Sequence, residues 1–561
     1  MHINIWKNRE ILSPEQKKIK NKERLLLILS GILLGISFPP FPFPFQLLMF
    51  FGLVPYFYVI EKKKTLIEIN RSSYLAFFVF GLITLYWVGS WQKDADPFLM
   101  ISGVLLIFVN PLFLLIPSTI YYFSRKIFPG KTALYLFPLF WVTYEYAYMI
   151  TDLSFPWLTL GSGLSHFTSF IQIADIIGTL GISLAVVLIN VLIYKVFIRY
   201  YSARKVSYYN LTSAVLIYSF ILLYGFIKID TFHLSDRKIR VGLIQPNINP
   251  WAKWDVGSLN DFVKLYLNYS RKASAEGAKF IVWPETALPV YLLSGGYGEA
   301  LDSIYNFVKK NDVYLMTGMP DIRYYHKGEK MPGDVKHNDN LGYYATYNAI
   351  YLFSPDTRAI QRYGKMKLVP FGERVPFVDQ LPFLGKIIKW GVGITGWNVG
   401  KDTILFKIKD KELNKRLSNT VNDTVKIDGL VCYESIYPIF VSDFVRMGAQ
   451  FITVVTNDSW YGNSSGPYQH KEMSVLRAVE NRRSVIRAAN GGISCIIDPL
   501  GRTVIHSQMF TKTFLVGDVV IQNDETFFTK HAYLVPVLSS VFSIWVIGMF
   551  ILFWLKKKFK L

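Results

Sequence analysis

Three side chains in this sequence could together carry out acyl transfer through a thioester. Cys432 ends a short apolar run, Glu285 follows the run 281–284, and Lys365 follows a Tyr-Gly pair. A thiol that attacks a carbonyl needs a base for its proton, and a buried carboxylate with a raised pKa can serve. It also needs a cation near the developing oxyanion, and a lysine supplies that charge and favours the thiolate. Glu, Lys and Cys are therefore a sufficient set for this chemistry.

A structural interpretation of the same residues also has to be weighed. The chain has two cysteines, so a disulfide framework does not explain Cys432. A free cysteine at the end of a core strand is often only a small buried hydrophobe. Cys495 lies in an apolar run and is predicted to be such a core residue, and Lys367 is a rival to Lys365 as the oxyanion cation.

The composition indicates a membrane protein of more than one unit. The chain has 561 residues, of which 51% are hydrophobic and 18% charged. Its net charge of +21 comes from short basic clusters beside apolar runs, which is typical of membrane flanks and argues against a nucleic-acid partner. No zinc or phosphate-loop motif is visible, so we expect neither a metal nor an organic cofactor.

Eight apolar segments are long enough, or nearly so, to cross a bilayer. Seven precede residue 230 and one follows the polar half of the chain. We place them at residues 25–38, 45–60, 74–91, 98–124, 132–150, 170–195, 209–229 and 533–555.

Basic residues predict the orientation of these segments. The first 24 residues carry seven Lys/Arg and the last tail carries four, whereas the outer connections carry almost none. The positive-inside rule therefore puts both termini in the cytoplasm. We expect a cytoplasmic N-terminus at 1–24 and a seven-span membrane domain at 25–229. An extracytoplasmic catalytic domain should follow at 230–530, and an eighth span with a basic tail at 531–561.

The segment between the seventh and eighth spans alternates strands with helices, which indicates an α/β layered domain. Two polar stretches without periodicity, 324–341 and 407–424, are predicted to be surface insertions. Strands are predicted at 238–246, 278–283, 313–318, 428–432, 451–456, 484–489 and 491–497, and helices at 259–275, 299–310, 436–447 and 467–482.

The order of the three chemical residues resembles a known superfamily. Pro284-Glu285, Tyr363-x-Lys365 and Cys432-Tyr433-Glu434 are similar to the carbon–nitrogen hydrolase (nitrilase) superfamily, which has a Glu–Lys–Cys triad on an α-β-β-α sandwich. Within it, the apolipoprotein N-acyltransferases are the closer resemblance, and the eight spans agree with that family's architecture. The further stretches that carry the resemblance are 283–287, 368–373, 456–460, 463–470 and 487–494.

This resemblance implies roles for individual residues. Glu285 would be the general base, Lys365 the oxyanion cation and Cys432 the nucleophile. Glu373 would orient Lys365 or assist the base. Tyr433 and Glu434 would line the pocket, and Asn348 would be a pocket asparagine. Trp254 would be an aromatic on a mobile loop near the lipid, and Phe155 and Trp157 would form a membrane-side gate. For Trp254, an amphipathic surface anchor is the alternative.

The implied reaction is a ping-pong acyl transfer in the membrane. Cys432 would take an acyl chain from a glycerophospholipid and pass it to the α-amino group of a diacylated apolipoprotein. One alternative is a membrane-anchored amidase or nitrilase that hydrolyses a small carbon–nitrogen bond. Another is a non-catalytic lipoprotein-binding scaffold.

Overall fold

The computed structural model describes the chain at residues 13–93, 95–128, 132–251, 258–326, 328–381, 396–409 and 424–559. Helices dominate before residue 232 and after residue 526, and two large β-sheets and one two-stranded sheet are described between them. The helices are α1 Pro14–Gly35, α2 Val54–Ile60, α3 Leu66–Leu85, α4 Pro97–Phe113, α5 Leu115–Ile127, α6 Phe137–Ile150, α7 Thr168–Ile171, α8 Ala174–Ala203, α9 Tyr208–Thr231, α10 Leu259–Ala275, α11 Gly298–Asn311, α12 Pro438–Arg446, α13 Ser465–Asn481, α14 Phe527–His531 and α15 Leu534–Phe559.

Five helical stretches in the described part of the chain are long and apolar enough to cross a membrane. They are Leu66–Gly89, Pro97–Ile127, Ala174–Ala203, Tyr208–Thr231 and Phe527–Phe559. The other three predicted segments are helical too, but their apolar parts are shorter. One is the second half of α1, one is the apolar stretch Phe45–Ile60, and one is α6.

The α/β half contains fourteen strands among the described residues. The strands are β1 Lys238–Gln245, β2 Phe280–Val282, β3 Tyr314–Tyr325, β4 Lys336–Asn338, β5 Gly342–Phe353, β6 Gln361–Gly364, β7 Phe406–Lys409, β8 Thr424–Ile427, β9 Leu430–Val431, β10 Ile452–Thr456, β11 Val485–Ala489, β12 Cys495–Ile497, β13 Thr503–His506 and β14 Thr513–Val520. The first large sheet has the order β14-β1-β2-β3-β5-β4, with β6 paired to β5, and the second has the order β13-β12-β11-β10-β9. Strands β7 and β8 form a separate pair.

The two sheets pack face to face between helices, so this half is an α-β-β-α sandwich. Alternate residues of each strand point to opposite faces. In β2, Phe280 and Val282 join a core shared with the second sheet, whereas Ile281 joins a separate core with α10 and α11. Helices α12 and α13 cover the other face of the second sheet. The fold expected from the sequence is confirmed in this respect.

Buried ion pairs and hydrogen bonds join the sandwich to the helical half. Glu480 at the end of α13 accepts hydrogen bonds from the backbone N–H and the hydroxyl of Thr179 in α8, at 2.8 and 2.6 Å. Arg482 pairs with Asp175 at 2.8 Å, and both side chains are 4% exposed. A buried charge needs such a partner, and these contacts fix the sandwich on one end of the helices.

The sequence prediction missed several strands. Strand β3 runs to Tyr325 and β4 follows at 336–338, so the segment 324–341 is partly sheet and not simply an insertion. Of the second segment, 407–424, the described residues are the last three of β7 and the first of β8, and residues 410–423 lie outside the described part of the chain. Strand β4 has no apolar alternation because its side chains are half-buried or exposed, whereas β7 and β8 alternate over only four positions each.

Candidate active site

Glu285 lies in a tight turn immediately after β2. The backbone N–H of Ala287 donates to the carbonyl of Gly318 in β3 at 2.7 Å, which fixes the turn against the neighbouring strand. Gly318 is needed there because a Cβ would lie 2.8 Å from the Cα of Glu285. The side chain of Glu285 is 6% exposed and points into the interior.

Lys365 follows β6 and is tied to β5 by its backbone. Its N–H donates to the carbonyl of Asn348 at 2.8 Å, and its own carbonyl accepts from the N–H of Gly400 at 2.8 Å. The side chain is 1% exposed, and Nζ donates to Oε1 of Glu373 at 2.8 Å. The rival Lys367 points elsewhere, over the rings of Tyr437 and Phe440.

Cys432 sits where the parallel strand β9 turns into the short helical segment Cys432–Ile436. Its φ of 50° is left-handed, a conformation that a non-glycine residue adopts only where the surroundings impose it. The residue Cys432 is half-buried, unlike Cys495, which is fully buried as predicted. The strand end therefore presents the Cys432 thiol in one fixed direction.

The structure brings the three predicted chemical groups together. Nζ of Lys365 lies 3.5 Å from Oε1 of Glu285, and both groups are close enough to Cys432 to shift the pKa of its thiol. The amide of Asn348 donates to Glu285 at 2.8 Å and to Glu373 at 3.1 Å. One asparagine thus fixes both carboxylates around one lysine.

Charge and burial set the protonation states of this cluster. Burial raises the pKa of Glu285 above its ordinary value. The charge of Lys365 lowers this pKa only in part, and the neighbouring Glu373 raises it further. Burial also raises the pKa of the Cys432 thiol, Glu285 raises it further, and Lys365 lowers it too little to compensate. Burial alone would lower the pKa of Lys365, but Glu373 and Glu285 raise it overall, so the lysine stays charged. Lys365 therefore acts on the thiol in the predicted direction, towards the thiolate, but burial and Glu285 outweigh it, so the thiol needs a base to lose its proton.

Glu434 does not line the pocket, which corrects the sequence prediction. It is fully buried, and Oε1 accepts from the hydroxyl of Tyr363 at 2.7 Å and from the N–H groups of Met366 at 2.6 Å and Lys367 at 3.1 Å. Its Oε2 accepts from the N–H of Val431 at 2.8 Å. The side chain joins the segment after Lys365 to the strand that carries Cys432.

Two aromatic residues of the helical half lie close to the turn that carries Cys432. The ring of Phe155 stacks on Tyr433 with centroids 6.2 Å apart, and the hydroxyl of Tyr433 donates to the carbonyl of Ser154 at 2.7 Å. Trp157 stacks on Phe155 at 5.5 Å. The predicted gate residues are therefore placed beside the site, whereas Trp254 lies outside the described residues.

A buried charged network below the nucleophile was not singled out from the sequence. The ring nitrogen Nε2 of His470 lies 3.1 Å from the carbonyl of Cys432, and Nδ1 lies 2.8 Å from Asp458. Arg487 donates to Asp458 at 2.5 Å and lies 2.9 Å from Nδ1 of His470. Cys432, Asp458 and His470 are close enough together to hold a metal ion. The guanidinium already provides the positive charge there, so the donor set does not fit a metal well.

Replacing Asp458 by Asn should destabilise the fold, because Arg487 is 0% exposed and would lose its anionic partner. Arg487 and His470 overcome the effect of burial and hold the pKa of Asp458 well below its ordinary value. The ion pair stabilises the fold fully at pH values above the pKa of an aspartate in the unfolded chain. This stabilisation is lost as the pH falls through the lower pKa that Asp458 has in the folded protein. The free energy of unfolding should fall by about 3–5 kcal/mol, as seen by thermal unfolding in detergent.

The matched control for this variant is Asp518→Asn. Asp518 pairs with Arg240 and the two side chains are 51% and 45% exposed, so the loss should stay below about 1 kcal/mol. Equal stability of the two variants would contradict the role assigned to the buried network.

Comparison with known proteins finds similarity along most of the chain. A family model described as carbon-nitrogen hydrolase matches residues 240–524, and one described as the apolipoprotein N-acyltransferase N-terminal domain matches residues 30–192. A protein named apolipoprotein N-acyltransferase from Chlorobaculum tepidum is 33% identical, over 92% of this chain and 95% of its own length. Proteins of the same name from Geobacter metallireducens and Rickettsia prowazekii are 32% and 30% identical, each over 93% of this chain and over 94% and 97% of their own lengths.

Proposed function

Because the chain belongs to the apolipoprotein N-acyltransferase family, we propose that it transfers a fatty acyl chain from a glycerophospholipid to the α-amino group of a diacylated apolipoprotein. The observation that carries the proposal is the convergence of Glu285, Lys365 and Cys432 beside a wall contributed by the helical half. A hydrolase of small amides would need only the triad, whereas an enzyme with two bilayer-anchored substrates also needs such a wall.

The first half-reaction forms the thioester. Glu285 takes the proton of the Cys432 thiol, the sulfur attacks the ester carbonyl of the phospholipid, and Lys365 stabilises the oxyanion. Collapse of the tetrahedral intermediate breaks the ester bond, and the protonated Glu285 gives its proton to the leaving lysophospholipid alkoxide. In the second half-reaction the amine attacks the thioester carbonyl and Glu285 takes the amine proton. Collapse of the tetrahedral intermediate then breaks the carbon–sulfur bond, and the protonated Glu285 returns its proton to the Cys432 sulfur. This is a ping-pong reaction.

The placement in the membrane is part of the same proposal. Eight crossings, with both termini in the cytoplasm of an inner membrane, put the sandwich on the extracytoplasmic side, with boundaries near residues 25, 230 and 530. The five long apolar helices and the short helices at the other three predicted segments support this topology. Both substrates would then reach Cys432 from the bilayer surface.

A transfer assay tests the proposed function. Purified protein in detergent is given a phospholipid with a labelled acyl chain and a synthetic S-diacylglyceryl-cysteine peptide. We expect label on the peptide amine and release of lysophospholipid. Release of ammonia from small amides without lipid turnover would favour the amidase instead. Unchanged lipoprotein acylation in cells after joint replacement of Glu285, Lys365 and Cys432 would favour the scaffold.

A further inference from the structure

Gln469 joins the sandwich to three separate segments of the helical half. It lies in α13 and is 2% exposed. Its Nε2 donates to the carbonyls of Pro39 at 3.0 Å and Thr84 at 3.2 Å. Its Oε1 accepts from the indole N–H groups of Trp87 at 3.0 Å and Trp157 at 2.7 Å. A side-chain amide has two donors and two acceptor lone pairs, so Gln469 uses its whole capacity here.

The two tryptophans held by Gln469 belong to a row of stacked or tilted rings that ends beside the nucleophile. We call Trp87, Trp157, Phe155 and Tyr433 the aromatic row. Successive ring centroids are 4.8, 5.5 and 6.2 Å apart. Tyr433 directly follows Cys432, so the row connects the helical half with the reacting sulfur.

A second observation shows that this face of α13 is shaped for the row. Gly466 lies one helical turn before Gln469, on the same face of the helix. A Cβ at Gly466 would lie 2.6 Å from the ring of Trp87. The glycine therefore provides the space for this ring, and the glutamine provides the hydrogen bonds.

We propose that Gln469 is a positioning residue that holds the aromatic row as one wall of the path by which the acyl chain reaches Cys432. This inference rests on the proposed function, since the row serves a long apolar chain only if such a chain is transferred. The indole N–H of Trp87 has a second acceptor, the carbonyl of Thr84 at 2.8 Å. The indole N–H of Trp157 has Gln469 as its one acceptor among the described residues. Without that acceptor, the buried Trp157 N–H must turn to find another partner, because a buried donor left unpaired is costly.

The test compares a long and a short acyl group on the same nucleophile. Gln469→Met keeps the approximate length of the side chain and removes all four hydrogen bonds. Acyl-enzyme formation is followed in single turnovers with p-nitrophenyl palmitate and p-nitrophenyl acetate, and rates are normalised to the amount of reactive Cys432. We expect the palmitoyl rate to fall about tenfold and the acetyl rate to change less than about twofold.

Two further variants make the result specific. Gly466→Ala should give the same loss of long-chain selectivity by displacing Trp87, and it stands in if Gln469→Met does not fold. Gln450→Met is the matched control. It removes a buried glutamine that bonds Lys426 and Asn523 away from the aromatic row, and both rates should remain at the wild-type level.

An unchanged ratio of palmitoyl to acetyl rates in both the Gln469 and the Gly466 variants would overturn the inference. This result is distinguishable from failure of the proposed function. If wild-type protein transfers no acyl chain from phospholipid, the proposed function fails, whereas the ester ratio reports on the aromatic row whichever natural substrate is used.

Discussion

Glu285→Gln should slow formation of the acyl-enzyme by about a thousandfold while leaving the protein folded. The glutamine can still accept the hydrogen bond from Asn348 and still lies beside Lys365, so the site keeps its shape. It cannot take a proton, and the raised pKa of the Cys432 thiol leaves almost no thiolate near neutral pH. Stopped-flow measurement of acylation by an activated long-chain ester gives the rate, and thermal unfolding checks the fold.

The pH dependence of the two proteins separates a base from a structural role. In the wild type, the acylation rate should rise with pH as Glu285 loses its proton, with a midpoint above that of an ordinary glutamate, because burial raises the pKa of this carboxyl. The rate should then reach a plateau. In the Gln variant it should continue to rise about tenfold per pH unit, since hydroxide must remove the thiol proton. Profiles of the same shape in both proteins would contradict the assignment of Glu285 as the base.

Lys365→Met should reduce the acylation rate by about a thousandfold or more, because the oxyanion loses its cation in a buried site. The variant also leaves the carboxylates of Glu285 and Glu373 without a cation between them, so it should be less stable by about 3–5 kcal/mol. Rates per reactive thiol and thermal unfolding measure the two effects separately.

A double variant separates catalysis from charge balance. Lys365→Met with Glu373→Gln restores the net charge of the cluster. In the wild type, Lys365, Glu285 and Glu373 together carry a charge of −1, and in the double variant Glu285 alone carries the same charge. Stability should recover while the rate stays low. Lys367→Met is the matched single control and should be nearly as active as the wild type, because its Nζ lies over Tyr437 and Phe440. Full activity of the double variant would remove Lys365 from the mechanism.

The sequence predicted the layered fold and the convergence of the chemical residues because both follow from local patterns. Lys365 and Cys432 come directly after a strand end, and Glu285 comes three residues after one. Ends of neighbouring strands meet at one edge of a sheet, and two packed sheets bring two such edges together. Residue types and strand ends therefore pointed to Glu285 and Cys432, whereas β6 was not predicted and the choice of Lys365 over Lys367 rested on the family resemblance.

Long-range polar contacts could not be predicted in this way. Gln469 bonds Pro39 and Thr84, which are 430 and 385 residues away in the chain, and no periodicity marks such pairs. Glu434 follows Cys432 closely and was expected in the pocket, but three of the donors to its carboxylate come from the segment around Lys365. A residue's type shows what it can bond, whereas only the folded chain shows which partner it meets.

The central claim is that Cys432 carries the acyl chain as a thioester, and intact-protein mass spectrometry tests it most directly. Wild-type protein and a Cys432→Ala variant are incubated with a phospholipid of defined chains and measured with and without hydroxylamine. We expect the wild type to gain the mass of one acyl chain, to lose it with hydroxylamine, and the variant to gain nothing. An acyl adduct on the Cys432→Ala variant, or intact phospholipid and an unmodified wild-type protein, would contradict the claim.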